Sequence, residues 1–344
     1  MSKAKRILIV ADISLKPIKM FLDQMLKLAK GFIRLGHDVR LFSYCSALSQ
    51  ASPVRSKTLA SLVYKSRVDD LLAATVRSYK PDIVYVSFAR VLDARTVVCM
   101  RQAAPNAAFI GGDGDPWPQH HKNRVETAKE LDILTATNDG EFLQMYKDAG
   151  VRHCVFMPNM CDPDVDRRYE VADEWKSDIL WTGKAAHHAG TGNTLREELV
   201  RELAKRKNCT LYGCCGRDKI AGINYLYAIS GARIGVNANS CKPVRLYSSD
   251  RLTHCLACGT FVLAEKMPDG NLLFEDSWHL RYFESVDEFF DLADWYLMHE
   301  TERKKIADAG MERAHKEFNS LKIAGYLLDL VEKGCYSAPW LPGS

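Results

Sequence analysis

No apolar run in this 344-residue sequence approaches the roughly 18 to 20 residues that a membrane-spanning helix requires. The opening, Met1 to Asp12, begins with basic residues and continues apolar, as a leader would. Its apolar stretch is only five residues and ends at an acid, so a first buried strand is expected instead. The 11 cysteines are odd in number and show no framework spacing, which argues against a disulfide scaffold and for free thiols in a reducing compartment. Cys255-x-x-Cys258 lacks a second pair at zinc-site spacing and reads as small buried side chains on a helix. Also missing is a Gly-x-Gly-x-x-Gly turn after the first strand, where the chain reads Ala11-Asp12-Ile13-Ser14-Leu15-Lys16-Pro17. That counts against a nicotinamide or flavin enzyme. The pairs His120-His121 and His187-His188 have no carboxylate or cysteine at ligand spacing, so no metal site is expected there.

What is present suits a globular chain with room for two domains: 47% hydrophobic and 26% charged residues. The net charge of +4 is uneven. Up to Arg67 there are 13 Lys and Arg against three acids, +10, so the remainder carries −6. Such a basic segment suits an anionic partner, and a solvated helix face accounts for it equally well.

Apolar runs and helical periodicities alternate along the chain, which predicts parallel α/β layers. Strands are expected at Arg6 to Asp12, Val39 to Phe42, Pro81 to Ser87, Ala107 to Ile110, Ile133 to Thr137 and Cys154 to Met157. Helices are expected at 21–35, 61–79 and Glu141 to Ala149. A polar stretch with Pro163 and several acids follows, and the alternation restarts at Ser177-Asp178-Ile179-Leu180-Trp181-Thr182-Gly183. The expected division is a first Rossmann-like domain at 1–160, a linker at 161–176, a second domain at 177–318, and a final helix and tail at 319–344 that cross back to the first. Ligands of such sheets lie beyond the carboxyl ends of the strands, so the crevice between two such domains is the expected site.

The segment Tyr225 to Ala264 is the most informative. A strand ending at Asn237 runs through a polar loop into Ser249-Asp250-Arg251-Leu252-Thr253-His254-Cys255-Leu256-Ala257-Cys258-Gly259. The helix start offers free N–H groups and a positive dipole end. Arg251 falls in its first turn, where a guanidinium can grip a diphosphate. His254 is one turn on, within reach of a ribose or sugar hydroxyl, and Gly259 permits a sharp helix-to-strand turn.

This stretch resembles the donor motif of CgeB-like (spore maturation protein B-like) group-1 glycosyltransferases, roughly Arg-x-Phe-Glu-Ala-x-Ala-Cys-Gly before an apolar strand. Arg251, Ala257, Cys258 and Gly259 match in register. The motif's glutamate falls at His254 and its companion, eight residues earlier, at Leu246. In the family those glutamates contact the nucleotide ribose and the sugar. Further similarities keep the family's order: Leu35-Gly36-His37-Asp38-Val39, Lys80-Pro81-Asp82-Ile83-Val84, Met157-Pro158-Asn159 with Asp162, Ile179 to Gly183, Arg196, and Arg303-x-x-Ile306-Ala307-x-x-Gly310.

The resemblance implies a GT-B fold and transfer of a sugar from a UDP-, GDP- or dTDP-linked donor to an acceptor hydroxyl. It implies no cofactor beyond the nucleotide sugar as co-substrate and no metal. The expected donor-binding set is Gly183, Lys184, Arg196, Tyr212, Gly213, Asn237, Arg251, His254 and Gly259. Gly183, Lys184 and the glycines that follow form a turn that could bring backbone N–H groups to phosphate, or a plain surface loop. The turn Gly111 to Pro116 places Asp113 and Asp115 at a strand end, as acceptor-orienting or proton-accepting groups or as solvated acids of a tight turn. With His254, these are the catalytic candidates. The basic residues up to 67 suit a membrane-associated glycan or a DNA acceptor, which places the protein in the cytoplasm or peripherally at the membrane. The alternative, which the loss of both motif glutamates supports, is an inactive relative that only binds glycan or nucleic acid.

Overall fold

The computed structural model describes residues 3–13, 23–53, 57–88, 92–114, 122–185 and 192–341. The chain divides into two compact units. The first runs to Met157 and takes back Leu321–Tyr336; the second holds Pro158–Ser320 and the tail from Ser337.

In the first unit the elements are β1 (Arg6–Ala11), α1 (Gln24–Arg34), β2 (Asp38–Ser43), α2 (Tyr44–Ala51), α3 (Lys57–Tyr79), β3 (Ile83–Ser87), α4 (Ala94–Ala103), β4 (Ala108–Asp113), α5 (Lys122–Lys129), β5 (Ile133–Ala136), α6 (Glu141–Asp148) and β6 (Cys154–Phe156). The strands form one sheet in the order β2-β1-β3-β4-β5-β6, with every pairing parallel. Ile7, Leu8, Ile9 and Val10 are all fully buried, as expected of a central parallel strand covered on both faces. β2, at the edge, is the polar one.

The helix expected over 21–35 starts at Gln24, where the Asp23 carboxylate accepts the Met25 N–H and caps the first turn. Phe21 and Leu22 lie outside the described residues. Besides α5, two helices had no expectation. α2 follows β2 directly. α4 carries Thr96, Val97 and Val98, whose β-branched side chains obscure helical propensity, and is fixed by Asp93 capping Thr96. A buried polar cluster pins them: Lys65 Nζ reaches Asp69 at 2.6 Å and Thr96 at 2.6 Å, and the Tyr44 hydroxyl donates to Asp69 at 2.6 Å.

The second unit contains β7 (Ser177–Thr182), α7 (Thr194–Leu203), β8 (Cys209–Tyr212), α8 (Ile223–Gly231), β9 (Ala232–Asn237), α9 (Asp250–Ala257), β10 (Phe261–Glu265), β11 (Arg281–Phe283), α10 (Val286–Met298) and α11 (Glu300–Glu317). Its sheet is again wholly parallel, in the order β11-β10-β9-β7-β8. β11 is an edge strand of three residues, too short for a period to show in sequence. The segment before β7 is packed with this unit: Asp166 is fully buried and accepts the Asp162 N–H at 2.7 Å.

The last helix, α12 (Ser320–Lys333), packs with the first unit. Glu332 pairs with Lys5 at 3.0 Å, and the Tyr336 hydroxyl donates to the Phe156 carbonyl at 2.5 Å. The tail then returns to the second unit, where Trp340 stacks on Phe318 with ring centroids 4.9 Å apart. The chain therefore builds two parallel-sheet, Rossmann-like units with a C-terminal helix crossing back to the first.

Candidate functional site

The carboxyl ends of β7, β9 and β10 gather most of the residues singled out in the second unit. Trp181, the penultimate residue of β7, is 1% exposed and donates through its indole Nε1 to the Gly183 carbonyl at 3.0 Å. Gly183 has φ +126°, which a side chain would strain, and a Cβ there would lie 3.1 Å from Arg251 Nη2. The glycine thus lets the backbone pass directly against that guanidinium. The end of β8 packs on the same turn: Gly183 N donates to the Tyr212 carbonyl at 2.9 Å, and a Cβ on Gly213 (φ +82°) would meet the Gly183 carbonyl oxygen at 3.5 Å.

Arg251 is the second residue of α9. Its guanidinium carbon lies 4.5 Å from the Trp181 ring centroid, and its Nη1 is buried without a hydrogen-bond partner among the described residues. Burial lowers its pKa, yet an arginine remains charged. Arg196, on α7, is 4% exposed and lies 5.0 Å from the same indole. Its donors are all directed at carbonyls: Lys184 at 2.6 Å, Ala238 at 3.0 Å and Ala185 at 3.3 Å. Burial, with Arg251 nearby, pulls its pKa down to about 10. The two arginines therefore differ in kind. Arg196 ties the turn after β7 to the segment after β9, whereas Arg251 presents a buried N–H that no described residue accepts. Two buried cations sharing one aromatic ring form a site that an anion would stabilise.

An asparagine-rich network holds this arrangement. Asn193 caps α7 by accepting the Arg196 N–H at 3.2 Å, and its amide donates to the Asn239 carbonyl at 3.2 Å and to Glu265 at 2.6 Å. Asn239 in turn accepts the Ser249 N–H at 3.2 Å and donates to the Tyr247 carbonyl at 2.9 Å. The Ser249 hydroxyl, at the N-cap of α9, bonds Asn237 at 2.7 Å and makes no cap bond to its own helix. The first turn of α9 is thus held by loop residues, and its positive end lies beside Arg251. Glu265 closes β10, is 5% exposed, and has its carboxyl pushed up to about 7 by burial.

Other expected residues lie differently. Lys184 is exposed. His254 follows Arg251 by one turn but is 2% exposed, with Nδ1 3.4 Å from the Tyr225 hydroxyl and the two rings edge to face. Gly259 (φ +72°) sits past the carboxyl end of α9, at the far end of a helix about 12 Å long. A Cβ there would fall 2.4 Å from Arg168 Nη2, so this glycine serves the helix-to-strand turn. In the first unit, Asp113 ends β4, is buried, accepts the Tyr146 hydroxyl at 2.6 Å and pairs with Arg124. Burial and the neighbouring carboxylate push the Tyr146 phenol far up, so it stays a donor to Asp113. Asp115, His120, His121, His187 and His188 lie outside the described residues.

Sequence reasoning missed Trp181, Asn193, Asn239 and Glu265 as parts of the site. A usable signal existed for two of them: a tryptophan two residues before a glycine at a strand end, and a carboxylate closing an otherwise apolar parallel strand, where ligands of such sheets bind.

Residues 195–329 match the family described as glycosyl transferase-like. The matched span includes Arg196, Asn237, Arg251, His254, Gly259 and Glu265 and begins beyond Trp181 and Gly183. No curated protein matches the sequence. Among solved structures, HepE of Anabaena in complex with UDP-glucose is 14% identical with a TM-score of 0.63, covering 95% of this chain and 99% of its own. Sucrose-phosphate synthase of Thermosynechococcus elongatus is 13% identical with a TM-score of 0.62, covering 96% and 98%. A glycosyltransferase of Rickettsia africae is 12% identical with a TM-score of 0.61, covering 99% and 100%. These likenesses concern the fold, which is of the GT-B type.

Proposed function

We propose that the second unit binds a nucleotide-sugar donor and that the protein transfers the sugar to an acceptor hydroxyl. The observation that carries this reading is the Arg251 guanidinium, stacked on Trp181 with a buried N–H that lacks a partner among the described residues. A buried donor left unpaired costs about 1–3 kcal/mol, more when charged, and a phosphate oxygen removes that cost. In this reading Arg251 and the N-terminus of α9 take the diphosphate and neutralise the leaving group, with no metal needed. Arg196 and Trp181 hold them in place. The complex of HepE with UDP-glucose makes a UDP-linked sugar the first donor to test. The register of Arg251 to Gly259 favours the CgeB-like subgroup within the glycosyltransferases. The deciding experiment is a melting-temperature screen with UDP-, GDP- and dTDP-linked sugars followed by product mass spectrometry. A chain that none of these stabilises would remove the reading.

For the acceptor we propose an anionic, membrane-associated glycan. Exposed Ile33, Leu35 and Leu41 alternate with Arg34 and Arg40 at the end of α1 and along β2, and such an apolar and basic mixture suits a lipid surface better than DNA. Flotation with anionic vesicles against a DNA-binding control separates the two. A second reading, a binding protein without turnover, draws on the internal pairing of Asp113 with Arg124 and Tyr146 and on the burial of His254 against Tyr225. Donor binding with no product across the screen would favour it.

A further inference from the structure

We infer that Glu265 is a positioning residue for the donor seat: one buried carboxylate oxygen ties the start of α7 to the approach of α9 and so sets both guanidinium groups. The inference rests on the donor reading above. Glu265 Oε2 accepts from Asn193 Nδ2 at 2.6 Å and from the Asn239 N–H at 3.2 Å. Asn193 is the N-cap of α7 and takes the backbone N–H of Arg196 itself. Asn239 takes the N–H of Ser249, the N-cap of α9, two residues before Arg251. Arg196 is therefore linked to this oxygen through Asn193, and Ser249, two residues before Arg251, through Asn239; no other described carboxylate reaches both asparagines.

Charge reinforces the geometry. Among the charged groups acting on Glu265, Arg196 from α7 is the attractive one, and Arg196 also feels Arg251 from α9 and Tyr247 from the intervening loop. Lys266, the next residue, is exposed and pairs with Glu284 at 2.5 Å. An ionised Glu265 thus offsets the repulsion between two buried cations and accepts two charge-assisted bonds, each stronger than a neutral one. Protonation removes both effects together. Because burial brings this carboxyl to about 7, the change falls in an accessible range, and donor affinity should weaken as pH drops through it.

The probe is whichever of UDP-glucose, GDP-mannose and dTDP-glucose gives the largest melting shift. Their diphosphate diesters stay ionised throughout, so the ligand does not titrate. Calorimetry at pH 5.5 and 8.5 on the wild-type chain should show affinity roughly three- to tenfold weaker at the lower pH. Glu265→Gln should bind at the weak, low-pH level at both values. Asn193→Ser, which keeps a cap oxygen for Arg196 but loses the amide donor to Glu265, should bind more weakly and respond less to pH. The inference is overturned if wild-type affinity is flat with pH, or if Glu265→Gln retains the wild-type pH response, while donor binding itself persists. Absence of wild-type binding to all three probes at both pH values removes the donor reading, and the inference with it.

Discussion

Replacing Arg251 and Arg196 by alanine separately should give opposite results, because among the described residues Arg251 Nη1 has no partner while all three guanidinium nitrogens of Arg196 bond carbonyls. Arg251→Ala removes a buried cation whose Nη1 has no partner. The desolvation it relieves offsets the lost stacking on Trp181, worth roughly 0.5–2 kcal/mol. Stability should change by no more than about 1 kcal/mol, a melting shift of roughly 2–4 °C for a domain of this size. Donor binding should collapse. Loss of one or two charge-assisted bonds to phosphate, at about 1.5–3 kcal/mol each, predicts a drop of roughly tenfold to ten-thousandfold in affinity. Arg196→Ala instead strips hydrogen bonds from the Lys184, Ala185 and Ala238 carbonyls. At about 1 kcal/mol or more for each bond, it should cost roughly 3 kcal/mol of stability. Thermal melting and calorimetry on the same preparations read both quantities. If Arg251→Ala melts as early as Arg196→Ala and still binds the donor normally, the reasoning from the unpaired N–H is wrong.

Trp181→Phe keeps an aromatic face under the arginines but loses the Nε1 bond to the Gly183 carbonyl, and donor affinity by calorimetry should fall by roughly three- to tenfold. Gly183→Ala forces a side chain into φ +126° and against Arg251 Nη2, so melting temperature and donor affinity should drop together, with about 1–3 kcal/mol of strain. Tyr146→Phe leaves the buried Asp113 with one donor fewer and should cost about 1–3 kcal/mol in chemical denaturation, with donor binding unchanged. Glu265 makes stability itself depend on pH. Its folded pKa, near 7, lies above the ordinary value of 4.5, so the folded state holds a proton that the unfolded state has released between those values. Its contribution is greatest below about 4.5 and is lost as pH rises towards 7, with a full span on the order of 3 kcal/mol. Glu265→Gln should therefore gain stability relative to wild type between pH 5 and pH 8, read from denaturant midpoints, and a constant difference would contradict the burial argument.

The layers of the fold were legible because they rest on local physics. Ile7 to Val10, Ile83 to Val86 and Phe261 to Ala264 are apolar runs long enough to be buried on both faces, and the helices between them carry apolar residues at helical spacing. The helices α2 and α4 and the strand β11 were not legible, since neighbours rather than periodicity stabilise them. Lys65 and Tyr44 bind the cluster that holds the first two, and pairing with β10 holds the third.

For the site, the division falls between residue type and residue role. The sequence by itself determined that an arginine would stand in the first turn of α9 and a glycine at the end of β7, because caps, turns and helix starts are set within a few residues. Only the tertiary structure decided that Arg196 is paired and Arg251 is not, that Trp181 lies within contact of both, and that His254 is buried against Tyr225. It also brought Asn193 from the start of α7, Asn239 from the loop after β9 and Glu265 from the end of β10 together. Those facts depend on which side chains meet across 26 to 72 positions of chain, and hydrogen bonding at that separation leaves no periodic trace in a single sequence.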